Sequence, residues 1–167
     1  MKTVKTTNPA VLALYPNAMG VCYAVFNSPK DLVDYGIEYV RPVNTQKSLR
    51  KVEQYLDFYN PDILLLRGIS KQRAKHSKRT KKLIDLICEI AKRKGLQVHQ
   101  YNRNQIQNIF SQFKAHSKYQ ISKKITEWFP ELESLELPIR KRWMSENHRT
   151  GIFDAIAISL VHFYMNE

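Results

Sequence analysis

The four residues Ile63-Leu64-Leu65-Leu66 constrain this chain more than any other stretch. They are apolar without alternation, and Asn60-Pro61 and Arg67-Gly68 bound them. A strand with no polar face is buried on both sides, so it belongs in a sheet that carries helices on both faces. The flanking segments agree. Before the run, Leu49, Val52, Leu56 and Tyr59 recur at helical spacing over Thr45–Tyr59, and Asn60-Pro61 stops that helix. After it, a long basic helix ends in Leu83, Ile84, Ile87 and Ile90 and is closed by Gly95.

The rest of the chain supplies neighbours for such a strand. "VLALYPNAMGVCYAVF", Val11 to Phe26, is two apolar runs around the turn "PNAMG". Leu32–Val40 is a third, more exposed strand, and Leu96, Val98 and Tyr101 mark a fifth. Ile106, Ile109, Phe110 and Phe113 form a helical stripe. Ser117 and Gln120 look like a capping box that opens a helix carrying Ile121, Ile125 and Phe129, ended by Pro130. Residues 131–143 are predicted as a loop with an acidic and then a basic half. The last helix is predicted over Thr150–Tyr164.

The order βββ-α-β-α-β-α-α-α predicts an α/β fold with a mixed five-stranded sheet: an antiparallel meander, then crossovers to the fourth and fifth strands. Crossover rules place strands one and four side by side near the sheet centre, and a site is expected at their ends. Residues 11–167 are expected to form a single domain, with 1–10 as an N-terminal extension. A length of 167 residues suits one core, and 43% apolar content argues against disorder. No apolar run has membrane-spanning length, and Met1–Pro9 lacks the apolar region of a secretory signal. No membrane partner and a cytoplasmic location are expected. Cys22 and Cys88 are expected as a buried pair of reduced thiols, without CxxC or zinc spacing.

Charge points to the partner. Lys and Arg number 27 against 15 Asp and Glu, a net charge of +12. Such an excess favours a polyanion, above all nucleic acid. The charge is clustered: Lys71, Arg73, Lys75, Lys78, Arg79, Lys81 and Lys82 fall in "KQRAKHSKRTKK" with no acid among them. Cations at a helix start oppose its dipole, which a phosphate backbone would offset. Arg140, Lys141 and Arg142 form a second basic group. The adjoining Trp143 either stacks on a base or fills the core.

One acid stands out. "GIFDAIAISLVHFY" is apolar nearly all round, with Asp154 as its only carboxylate. Such a helix is buried, and a buried carboxylate is costly unless paired or bound. Glu146 and His148 precede it by eight and six residues, a spacing that alone makes no metal site. There is no Gly-rich phosphate loop, GxSxG or HExxH.

The element order, the hairpin, "PDILLLRG" and "IFDAIAISLVHF" together resemble the RNase H-like fold, and specifically RuvC-like Holliday-junction resolvases. The resemblance spans about Val11 to Tyr164. In a group of small bacterial RuvC-like proteins the last motif reads "W.SED.R..IFDA"; here it reads "WMSENHRTGIFDA". The resemblance implies phosphodiester cleavage by two magnesium ions held by about four carboxylates. Carried over by position, the strand-one acid falls on Tyr15, the strand-four acid on Arg67, and the Asp of the triplet on Asn147. Glu146 and Asp154 are kept. A phenol is protonated at neutral pH, and a guanidinium is a permanent cation. Asp62 cannot stand in for the lost acid, since it lies at the opposite end of the fourth strand, roughly 15 Å away at ~3.3 Å per residue.

The expectation is a degenerate resolvase that binds branched or structured DNA, with nuclease activity lost and no cofactor. Arg67 would neutralise Asp154 or reach a phosphate in place of metal. One alternative is an active endonuclease with magnesium or manganese on Glu146 and Asp154 and His148 as base. Another is a non-enzymatic module that binds an acidic protein. A homodimer is implied by the resemblance alone.

Overall fold

The two central strands run parallel. β1 (Val11–Asn17) lies beside β4 (Ile63–Arg67), with Leu12 next to Leu64 and Leu14 next to Leu66. β2 (Gly20–Ser28) pairs antiparallel with β1, and β3 (Asp31–Tyr39) pairs antiparallel with β2. β5 (Gln97–Tyr101) extends the other edge, parallel to β4. The strand order is β3-β2-β1-β4-β5, the mixed sheet the sequence predicts. These features come from a computed structural model, which describes residues 10–42, 44–69, 78–139, 141, 143 and 147–166.

Side-chain alternation sorts the sheet into two unlike faces. Leu12, Leu14, Leu64 and Leu66 pack with Val52 and Leu56 of α1 (Thr45–Tyr59) and with Ile84 and Ile87 of α2 (Lys78–Arg93). Val11, Ala13, Tyr15 and Leu65 belong to the opposite core, under α5 (Thr150–Met165). α3 (Arg103–Ser111) and α4 (Lys118–Trp128) pack on α5 in turn, bringing Ile106, Phe110, Ile121 and Ile125. α5 is therefore covered on both sides, and Thr150 to Ser159 are all buried.

Local signals set the element ends. Asn44 caps α1 by accepting the Lys47 N–H at 3.0 Å, and Asn60 ends it in the left-handed region at φ 44°. Asn102 with Gln105 and Ser117 with Gln120 form capping boxes that open α3 and α4.

Three expectations need correction. β1 continues through Pro16 and Asn17, so the turn shrinks to Ala18-Met19. Asn17 Oδ1 accepts the Met19 N–H at 2.8 Å, and Gly20 sits at φ 145° where a Cβ would strike the Glu38 carbonyl. Pro16 is tolerated because the pairing of β1 with β4 ends at Leu14. The segment predicted as a loop contains a 3-10 helix, Pro130–Leu135, which buries Leu132. The cysteines are both free, but only Cys22 is buried; Cys88 is half-buried on the other face, where its sulfur accepts a hydrogen bond from Gln100 Nε2 at 3.2 Å. Among the described residues, no helix is long and apolar enough to cross a membrane.

Candidate functional site

Parallel register decides what meets at the carboxyl ends of the central strands. Because Leu14 aligns with Leu66, the next residues, Tyr15 and Arg67, stand side by side. Both continue the alternation that points Ala13 and Leu65 toward α5. The Arg67 guanidinium carbon lies 4.3 Å from the centre of the Tyr15 ring. Arg67 Nη1 also donates to the Pro16 carbonyl at 2.7 Å, made reachable by the extension of β1. Its Nε is buried without a hydrogen-bond partner among the described residues.

α5 brings the remaining site groups. Its first turn packs against the β1–β2 hairpin at Gly151, where a Cβ would collide with Cys22 Sγ and lie 2.7 Å from Asn17 Nδ2. Asn17 Nδ2 donates to Cys22 Sγ at 3.4 Å. Burial, with a smaller contribution from the Asp154 charge, pushes the Cys22 thiol up to about 12, so it stays protonated. Asn147 caps the approach to the helix: its Oδ1 accepts the Arg149 N–H at 2.9 Å, and its carbonyl accepts the Thr150 N–H at 3.0 Å.

Together these elements form a cleft of about 350 Å³ lined by Tyr15, Asn17, Arg67, Lys118, Asn147, His148 and Asp154, among others. The sequence-derived positions Tyr15, Arg67, Asn147, His148 and Asp154 are thus in one place. Glu146 lies outside the described residues. α5 begins at Thr150, so no helix links His148 to Asp154.

Asp154 is almost fully buried and lies near two cations that sequence reasoning missed. Lys118 Nζ stands 3.7 Å from Oδ2, and Arg103 Nη1 stands 3.9 Å from Oδ1. Both distances exceed hydrogen-bonding range, so these two contacts are Coulombic. The expectation that Arg67 neutralises Asp154 is corrected to this extent: two other cations do so, while Arg67 binds Pro16 and stacks on Tyr15. Lys118 and Arg103 are the first residues of α4 and α3, where a cation opposes the helix dipole. That mismatch, next to the capping residues Ser117 and Asn102, is the signal that would have found them. Among the described residues, no three His, Cys, Asp or Glu side chains come together so as to hold a metal ion.

The basic groups are partly visible. Lys78, Arg79, Lys81 and Lys82 are exposed on the first turns of α2, which carries no acid in its first turn. The crossover from β4 to β5 runs through α2, which packs on the sheet face opposite α5. Lys141 is exposed, with Nζ 5.8 Å from the centre of the Trp143 ring. Trp143 is 79% exposed, which removes its core role. Lys71, Arg73, Lys75, Arg140 and Arg142 lie outside the described residues.

No protein-family model matches the sequence, and no curated protein matches it. Solved structures do match. A Thermus thermophilus RuvC structure superposes with a TM-score of 0.65 at 14% identity, covering 94% of this chain and 95% of that one. T. thermophilus RuvC in complex with Holliday junction substrate gives 0.59 at 14% identity, with the same coverages of 94% and 95%. A fowlpox virus resolvase in complex with substrate Holliday junction DNA gives 0.54 at 16% identity, covering 91% of this chain and 98% of that one. With strand order, helix placement and near-complete coverage in agreement, the chain has the RuvC-like resolvase fold.

Proposed function

We propose that this protein binds branched DNA of the Holliday-junction type and does not cleave it. The observation that carries the reading is the pair Tyr15 and Arg67, side by side just past the parallel pairing of β1 with β4. A phenol and a guanidinium supply no carboxylate donor, and the guanidinium repels a cation. Asp154 already faces two side-chain cations. This donor set does not fit a pair of divalent ions, so no hydrolytic step is derived through them. Support for a DNA partner comes from the net charge of +12, from the exposed cations of α2, and from neighbours of this fold solved with Holliday junctions. Cytoplasmic location and a twofold dimer matched to a four-way junction go with the same reading.

The test is binding of a four-way junction against linear duplex at fixed salt, followed by incubation with Mg²⁺ or Mn²⁺. The junction is expected to bind more tightly, with affinity falling steeply as salt rises. Equal, weak affinity for both with a shallow salt slope would reject the reading. Cleavage product that disappears in Asp154→Asn would restore an active site on Asp154, Glu146 and His148.

A further inference from the structure

We infer that Tyr39, with Arg41 and His148 beside it, is a stacking platform for an unpaired nucleobase at the rim of the cleft. The inference rests on the junction-binding reading and names the part of the DNA held here, a base whose flat face is uncovered.

Position is the first observation. Tyr39 is the last residue of β3, an edge strand, and among the described residues no further strand pairs beyond it. Its backbone is tied to the β1–β2 hairpin. Tyr39 pairs with Gly20, and the Val40 N–H donates to the Met19 carbonyl at 3.2 Å. Gly20 lies too close to the Glu38 carbonyl and the Val40 nitrogen for any Cβ, so the end of β3 is fixed against β2. Met19 and His148 both line the cleft. The end of an ordered strand thus carries the Tyr39 ring beside it.

The neighbours of the ring are the second observation. The Arg41 guanidinium carbon lies 5.3 Å from the centre of the Tyr39 ring, and the His148 ring lies 6.3 Å away at 49°. Arg41 and His148 are themselves exposed. With both in place, Tyr39 is still 44% exposed. Tyr23, Tyr55 and Tyr59 differ: all three are half-buried, and the hydroxyls of Tyr55 and Tyr59 donate to Glu38 and Asp34. Those rings join α1 to the sheet, whereas packing does not account for Tyr39.

An exposed aromatic face flanked by a guanidinium is the composition that holds single-stranded nucleic acid. The ring stacks on a base, and the cation takes the adjoining phosphate or lies flat on the base itself. Inside a duplex each base is covered above and below by its neighbours, so a fixed ring finds no free face. A base that is already unpaired costs least to unstack, and the branch point of a junction interrupts stacking. The platform therefore favours branched DNA over linear duplex without reading sequence.

The test titrates the full chain at fixed salt with a labelled four-way junction, a linear duplex and single-stranded oligothymidine. Tyr39→Ala should lower affinity for the junction and for oligothymidine about ten-fold and leave duplex affinity unchanged. Tyr39→Phe should bind like the wild type, because stacking needs the ring and not the hydroxyl. Arg41→Gln should weaken junction binding and reduce its salt slope by about one. A 2-aminopurine at the branch point should be quenched by the wild type and by Tyr39→Phe, but not by Tyr39→Ala. Wild-type affinity of Tyr39→Ala for both junction and oligothymidine would overturn the platform and leave the ring to a protein partner. Equal losses on junction and duplex, or a loss in Tyr39→Phe as large as in Tyr39→Ala, would also overturn it. A wild type with no preference for the junction would remove the reading beneath, while the oligothymidine titration still decides the platform. Thermal melting of each variant confirms that it is folded.

Discussion

The two faces of the sheet are covered in different ways. On one, α1 and α2 each present an apolar stripe inward and a polar face outward. On the other, α5 lies on the strands and is itself covered by α3 and α4. The thin side is mainly apolar, although Ser48 of α1 is buried there and Tyr55 donates to Glu38 at its margin. The thick side holds the buried polar groups Asp154, Ser159 and His162. A buried charge needs partners brought from outside its own helix, and only the thick side has an outer layer to bring them. Arg103 and Lys118 come from that layer.

Truncation of matched core residues would sharpen the contrast. Ile156 in α5 and Ile87 in α2 are both fully buried. Changing either to Ala removes the same atoms, but the cost depends on how far the surroundings collapse. α5 is held on both sides, so Ile156→Ala should cost about 4 kcal/mol, and Ile87→Ala about 2–3 kcal/mol because α2 can settle inward. Urea denaturation midpoints would measure this, and equal losses would break the comparison.

Gly151→Ala addresses the contact that seats α5. A methyl group there meets Cys22 and Asn17, so α5 must shift away from the hairpin. The expected loss is about 1–3 kcal/mol, accompanied by weaker junction binding because Asp154 moves with the helix. Unchanged melting would show that the hairpin yields instead.

The smallest effect concerns pH. His162 is buried on the thick side, with Tyr101 Oη 2.7 Å from its Nδ1 and the His99 ring 5.0 Å away. Burial first, then the neighbouring His99, lowers its pKa below the usual 6.5. The folded state then binds fewer protons than the unfolded state, so stability is fully present above about pH 6.5 and declines as pH falls through it. Comparing urea midpoints at pH 8 and pH 5 measures the slope, and His162→Phe should flatten it. A slope unaltered in that variant would assign the effect to other groups.

The fold was largely legible because its signals are local and periodic. α1 is found at Thr45–Tyr59 as predicted, since helical spacing and Asn60-Pro61 define it without tertiary help. The positions of Tyr15 and Arg67 followed from strand ends. The partners of Asp154 were not legible: Arg103 and Lys118 lie on separate helices, and only the packing of α3 and α4 over α5 brings them to the carboxylate. The extension of β1 through Pro16 was missed because proline normally breaks a strand, and the missing ladder partner that excuses it is a property of the assembled sheet.

The alignment of Tyr15 with Arg67 also limits how this sequence can change. Tyr15→Asp alone would set a carboxylate against the guanidinium, and the two would pair with each other. Arg67→Glu alone would place an acid beside a phenol and leave the Pro16 carbonyl without its donor. Each single step closes off the cleft or weakens it, so a route to a carboxylate-lined centre runs through both positions at once. Adjacency across two strands makes Tyr15 and Arg67 a single unit for any redesign of the cleft.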